Sequence, residues 1–290
     1  MSRRSIAGVA VALLLACLPG AAGATVEKWP SPLDFASQLD LECFKTDAYQ
    51  PPATVVTLRH LNPVLAGQPA ETVKVGAREQ LCVPVAKNGK IPPPVVVDLV
   101  QFVDLSCYQV RSIGVESKLK LTHLNPVVTA MGVPSTEVMV GGTDQLCLPV
   151  VKNGKFPPDW VRQFVQYLDL KCSVIFPAAP LGIQLTLSHL NPVLANLPKQ
   201  QVKVNEARRL CVPVQKNDQK IPSDILDVIQ WVDLEKFDVT PGPTPGPIAL
   251  TLDLTHLNPL MSAWPRERAV LGGPTQLGLP VAKNGKIPPG

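Results

Sequence analysis

Leu81-Cys82-Val83-Pro84-Val85-Ala86-Lys87-Asn88-Gly89 is a short apolar run, carrying one cysteine and one proline, that ends in an Asn-Gly turn. Asn and Gly accept the positive φ of a tight hairpin turn, so the stretch reads as a strand that stops and reverses. The Pro-Val-x-Lys-Asn segment inside it begins four times, at Pro84, Pro149, Pro213 and Pro280. An Asp-Leu pair recurs in step with it at Asp40, Asp104, Asp169 and Asp233. So does His-Leu-Asn-Pro at His60, His123, His189 and His256, which are all the histidines of the chain. A period of about 65 residues marks a repeat architecture and overrides the two domains that length alone suggests.

Local patterning gives every copy the same outline. Before each Asp-Leu, apolar residues fall at i, i+3, i+4 and i+7: Val96, Leu99, Val100, Val103; then Val161, Phe164, Val165, Leu168; then Ile225, Val228, Ile229, Val232. That spacing predicts a helix of two to three turns, opened by prolines and capped by Asp159 or Ser223. Before each histidine the pattern becomes alternating, as in Val56 and Leu58, or Leu119 and Leu121. Period two predicts a half-buried strand, and Val73-Lys74-Val75 with its counterparts adds another. The expected fold is therefore mainly β: four tandem small antiparallel modules of three or four strands, each with a short linking helix. The boundaries are 1–24 for a signal peptide and 25–91, 92–156, 157–220 and 221–290 for the modules. On this phase Ile287-Pro288-Pro289-Gly290 reads as a natural end.

Arg3 and Arg4 precede the apolar run Ile6 to Ala16 and the small residues Ala21-Ala22-Gly23-Ala24. This is the order of a secretory signal peptide, so the mature chain is expected to begin near Thr25, outside the cytoplasm and without a transmembrane span. Leu14-Leu15-Ala16-Cys17 offers an alternative, a lipid anchor through Cys17, although Leu15 is unusual just inside such a box; the paired arginines also suit twin-arginine export. The formal net charge of +4 falls by two when Arg3 and Arg4 leave. So weak a charge is no electrostatic glue for nucleic acid or acidic lipid. Thirty-two prolines and 5% aromatics favour short elements joined by stiff turns over one large aromatic core.

The six mature cysteines occupy two recurring places, Cys43, Cys107 and Cys172 after Asp-Leu-x, and Cys82, Cys147 and Cys211 before the Pro-Val segment. In the fourth copy both are lost together, to Lys236 and Gly278. Pairing across copies would strand two of them, so the expected disulfides lie within copies: Cys43–Cys82, Cys107–Cys147 and Cys172–Cys211. Closing a loop of about 40 residues adds roughly 4 kcal/mol in the chain-entropy model, which a small module needs. Copy four, without a staple and approached through Pro241-Gly242-Pro243-Thr244-Pro245-Gly246-Pro247, is expected to be the least stable.

Other recurrent residues are weighed in the same way. Alternation points His60, His123, His189 and His256 toward the core, where a packed, hydrogen-bonded histidine before an Asn-Pro turn is the expected state. One histidine per copy, with Asp as its only obvious acidic companion, is too few ligands for a closed metal site. Lys87, Lys152, Lys216 and Lys283 read as the solvated flank of a surface turn, or else as a row of anion-binding points. Trp29, Trp160, Trp231 and Trp264 read as core or interface packing. No catalytic motif, metal site or cofactor fingerprint is present in the sequence, and no mature cysteine is left free to act as a nucleophile.

Asp104-Leu105-Ser106-Cys107-Tyr108-Gln109-Val110 and the Leu81 to Gly89 stretch together resemble a family of tandem extracellular bacterial repeats of unknown function. The resemblance covers nearly the whole mature chain and implies location and modularity only. Copy three departs from it with Asn217-Asp218-Gln219 in the turn, and copy four lacks both cysteines. The functional expectation is an exported, non-catalytic repeat protein, a multivalent binding or structural component of the cell surface or extracellular space. Its expected partner is a cell-envelope polysaccharide or protein held by repeated weak contacts. The alternative is an exported hydrolase, periplasmic or secreted, with an unrecognised active site.

Overall fold

The structure, a computed structural model, describes residues 29–243 and 250–290. The expected signal peptide, Cys17, the expected start near Thr25 and Thr244 to Pro247 lie outside the described residues. The first copy runs α1 (Pro32–Gln38), β1 (Leu41–Tyr49), β2 (Val55–His60), β3 (Glu71–Lys74) and β4 (Arg78–Lys87). The second runs α2 (Pro94–Val100), β5 (Leu105–Ser112), β6 (Ser117–His123), α3 (Pro126–Ala130) and β7 (Thr136–Lys152). The third contributes α4 (Asp159–Val165), β8 (Leu170–Phe176), β9 (Gln184–His189) and β10 (Gln200–Lys216). The fourth contributes α5 (Ser223–Ile229), β11 (Leu234–Pro241), β12 (Leu250–His256), a 3-10 turn at Pro259–Met261 and β13 (Glu267–Lys283). Three copies join the two expected late strands into one of 17 residues. Copy one breaks that strand between Lys74 and Arg78.

The linking helices bury the faces that their spacing marks, with Val96, Leu99 and Val100 inward in α2 and Val161, Phe164 and Val165 inward in α4. Their caps differ from expectation. Pro158 and Pro222 occupy the cap positions, and Asp159 and Ser223 are already the first helical residues without a side-chain cap bond. Proline sets the extended backbone that a helix entry needs and leaves no N–H to satisfy, which moves each start by one residue.

Strand pairing followed from β1 returns to β1. The circuit is β1, β4, β5, β7, β8, β10, β11, β13 and back to β1, antiparallel throughout. Eight strands, two from each copy, therefore close a barrel and leave no open edge in the ring. Leu41, Leu105, Leu170, Leu234 and the six cysteines from Cys43 to Cys211 share one buried cluster with Phe35, Leu99, Phe164 and Ile229 of the helices. Residues from every side of the ring can meet only in the bore. The helices, with α1 on α2 and α5 and α2 on α4, plug one end of it.

The opposite face of each strand looks outward, and Phe44, Leu81 and Val83 there pack with Leu252, Leu254 and Leu271 of another copy. The sequence leads to a self-contained sheet in each copy, whereas the strands merge into one 13-stranded sheet. The strand before each His-Leu-Asn-Pro pairs with the end of the long strand two copies along. His60 lies opposite Val214, His123 opposite Val281, His189 opposite Val85 and His256 opposite Val150. Two or three strands alone would leave edges unpaired and an apolar face wet, and the exchange removes both costs.

Cys43–Cys82, Cys107–Cys147 and Cys172–Cys211 are disulfide-bonded, each joining directly opposed residues of neighbouring barrel strands. No helix among the described residues is long and apolar enough to cross a membrane.

Candidate functional site

Each recurrent Asp sits just ahead of its barrel strand, and each recurrent Lys ends the long strand of the same copy. The two meet as buried ion pairs: Lys87 with Asp40, Lys152 with Asp104, Lys216 with Asp169 and Lys283 with Asp233. This corrects the reading of the lysines as solvated. The turns themselves are exposed at Asn88 and Gly89, but the last strand residue before the turn points inward and is at most 2% exposed in every copy. Burial dominates both partners, pushing each Asp carboxyl up and each Lys ammonium down, while their mutual attraction opposes it. Asp233 reaches about 6.

A third residue completes each group, the Asn of His-Leu-Asn-Pro from the next copy. Asn125 Nδ2 donates to Asp40 Oδ2 at 2.9 Å, Asn191 to Asp104 at 2.6 Å, Asn258 to Asp169 at 3.0 Å and Asn62 to Asp233 at 2.8 Å. The other hydrogen of each amide goes to a backbone carbonyl after the preceding linking helix, or at its end, such as Ser37 O or Gln101 O. Each Oδ1 caps the backbone two residues on, as at Val127 N. The turn asparagines act across the ring as well. Asn88, Asn153, Asn217 and Asn284 all take positive φ, and their Oδ1 atoms accept from Thr186, Asp253, Thr57 and Lys120 N–H two copies away. Asp218 also takes positive φ, so copy three forms the left-handed turn without glycine.

The histidines lie in four pockets between barrel wall and outer strands. His123, His189 and His256 are buried and His60 is half-buried. His123 Nε2 stands 3.9 Å from Glu235 Oε2, and His189 Nε2 stands 3.9 Å from Glu42 Oε2. Burial lowers both imidazoles to about 4 and raises Glu42 to about 8 and Glu235 to about 7, so between about pH 4 and 7 neutral forms face each other. The other two pockets each contain an ion pair. His60 meets Lys171, itself paired with Glu71, and burial followed by the Lys171 charge lowers this histidine to about 4. His256 Nε2 lies 2.9 Å from the Tyr108 hydroxyl and 3.0 Å from Glu267 Oε1, and Glu267 Oε2 accepts from Arg78 at 2.9 Å. The Tyr108 hydroxyl donates to Glu267 at 2.6 Å, and Trp264 closes edge-on over His256. Tyr108 and Glu267 are both 0% exposed.

The bore holds a feature that the sequence shows only as a loss. Lys236 and Gly278 face each other where the other copies carry cystine. Lys236 Nζ donates to Gln80 Oε1 at 2.9 Å and Gln145 Oε1 at 2.8 Å, and lies 3.9 Å from Cys82 Sγ. Enclosure lowers it to about 7, the nearby Arg209 cation adding to the effect. Beyond it, away from the helices, Lys45, Gln80, Arg209, Asp238 and Gln276 are among the residues that line an open recess of about 560 Å³. Among the described residues, no group of three or more His, Cys, Asp or Glu is placed to hold a metal ion.

No family model, curated protein or solved structure matches this chain. The geometry alone must identify what is available to a partner. The recurrent Asp, Lys, Asn, His and Cys are engaged in internal contacts. The recurring exposed residues are those just after each turn: Lys90-Ile91, Lys155-Phe156, Lys220-Ile221 and Lys286-Ile287, each followed by proline. Ile91 is 68% exposed, Phe156 52% and Ile287 61%, while Ile221 is half-buried. Each tip thus presents one exposed lysine beside an apolar side chain that a proline follows.

Proposed function

We propose that this protein is an exported, non-catalytic scaffold that binds a repetitive polymer of the cell envelope through its four Lys-(Ile/Phe)-Pro tips. The observation that carries the reading is an exposed lysine after every turn, followed by an exposed apolar residue in three copies and a half-buried one, Ile221, in the third, while the other recurrent residues serve the fold. Single exposed apolar residues are ordinary on a protein surface, but the return of Ile91, Phe156 and Ile287 at the same place in three copies is not required by packing. Contacts too weak singly gain from repetition when the ligand repeats as well. The N-terminal signal pattern, the disulfides and the resemblance to extracellular bacterial repeats support a place outside the cytoplasm.

Co-sedimentation of the mature, oxidised chain with isolated cell envelopes and a panel of insoluble polysaccharides tests this. The whole chain is required, since the copies exchange strands. Replacing one tip residue with alanine should weaken binding several-fold, and Ile91→Ala, Phe156→Ala, Ile221→Ala and Ile287→Ala together should abolish it. Binding untouched by the fourfold variant would overturn the assignment of the tips. Turnover of a bound polymer, lost on changing one residue of one copy, would overturn the non-catalytic reading in favour of a hydrolase.

A further inference from the structure

Each Asp–Lys–Asn group has the composition and the setting of a self-acylating site. The Lys Nζ lies against Oδ2 of the Asp carboxylate, whose other oxygen, Oδ1, accepts no hydrogen bond. The same Oδ2 receives the Asn amide, which is itself fixed by its bond to a backbone carbonyl and by the N–H two residues on. All twelve side chains belong to residues at most 3% exposed. An ion pair so far from water loses much of its advantage over the neutral pair, amine with carboxylic acid, because charge is costly to hold in a dry interior.

We propose that these four groups form intramolecular isopeptide bonds, Lys87 to Asp40, Lys152 to Asp104, Lys216 to Asp169 and Lys283 to Asp233. The proton passes from the ammonium to the carboxylate, leaving a neutral amine beside a carboxylic acid. The Nζ lone pair attacks Cγ, and the negative charge that develops falls on Oδ2, where the Asn Nδ2–H donates to it as an oxyanion donor. The Cγ–Oδ1 bond then breaks, Oδ1 leaves as water carrying the proton first passed to the carboxyl group and a second one released by the attacking nitrogen, and an amide that keeps the third proton joins the two side chains. One water is released for each bond, no electrons are exchanged and no co-reactant is needed. The fold supplies proximity, which replaces the activation that an intermolecular condensation would require. Exclusion of water protects the product from hydrolysis. In copy four the bond would tie the start of β11 to the end of β13, the two strands that lack a disulfide.

Mass spectrometry of the purified, folded chain after reduction and alkylation tests the proposal. The expected result is a deficit of four waters, each about 18 Da, with a branched peptide linking the Asp40 and Lys87 segments and its three counterparts. Lys87→Arg keeps the ion pair but removes the nucleophile, so it should restore one water and leave three bonds. Asn125→Ala should leave the Asp40–Lys87 bond incomplete, while circular dichroism shows the barrel still formed. An intact mass equal to that of the unlinked chain overturns the proposal. A deficit of ammonia, about 17 Da per bond, would place the acyl donor on Asn and overturn the assignment to Asp.

Discussion

Asn62 donates its side-chain amide to the carboxylate of Asp233 at 2.8 Å, joining the first copy to the last. The other three Asn–Asp bonds join neighbours in sequence, so this one converts a row into a ring. It spans 171 residues of separation.

Asn62→Ala should therefore destabilise the protein. A buried hydrogen bond to a charged group, lost with its acceptor left in place, costs about 1–3 kcal/mol. Chemical denaturation of the oxidised chain should show the midpoint falling by that equivalent, and an unchanged midpoint would refute the closing role.

The Lys236–Gly278 pair should accept a fourth disulfide. The two residues oppose each other in the register that cystine takes elsewhere, and a side-chain atom on Gly278 would meet Leu234 at an ordinary 3.4–3.5 Å. Lys236→Cys with Gly278→Cys should oxidise spontaneously, read as no free thiol in a thiol assay under denaturing conditions. It should also raise thermal stability, by about 2–4 kcal/mol if the loop-closure model applies. Two titratable thiols would show that the register does not hold.

Glu42 and His189 give stability a particular pH profile. Glu42 binds its proton more tightly folded than unfolded, so its contribution is full below 4.5 and is lost as pH rises toward about 8. His189, lowered to about 4, works the other way, adding stability as pH rises to its ordinary 6.5. The slopes oppose between 4.5 and 6.5, and above 6.5 only Glu42 acts. Glu42→Gln removes that loss, so its stability relative to the parent should rise between pH 6.5 and 8 by up to about 2 kcal/mol. Parallel curves for parent and variant across that window would rule the ionisation out.

Tyr108→Phe deletes the hydroxyl that bonds both Glu267 and His256. The cavity term is small because the ring stays, so the loss of about 1–3 kcal/mol comes from the carboxylate left short of a donor. Urea unfolding at constant slope would report it. A variant as stable as the parent would show that Arg78 alone satisfies Glu267.

The β-rich class, the helix faces and the cysteine positions were legible because each depends on near neighbours in sequence. Val96, Leu99 and Val100 mark a buried face whatever lies against it. The closure was not legible: alternation shows that Val56 and Leu58 are buried, but not that residues of other copies cover them. Asp40, Lys87 and Asn125 each stood out as recurrent, yet nothing local says that they meet, and the lysine next to a surface turn therefore read as solvated. Glu42, Ser106, Lys171 and Glu235 occupy one equivalent position with three different chemistries, so recurrence could not single them out. Lys236 left one trace, the simultaneous loss of two cysteines, which shows a missing staple without showing what fills the space.

Closure also fixes how many copies the chain can use. An open array tolerates one unit more or fewer, because each new end resembles the old one. Here a fifth copy would add two staves to the barrel and widen a bore that three cystines, one lysine and the helical plug now fill. A three-copy chain would narrow it until those groups collided. Duplication or deletion of a single copy, ordinarily a mild change in repeat genes, should therefore be nearly lethal to this fold, and the number four is a property of its cross-section.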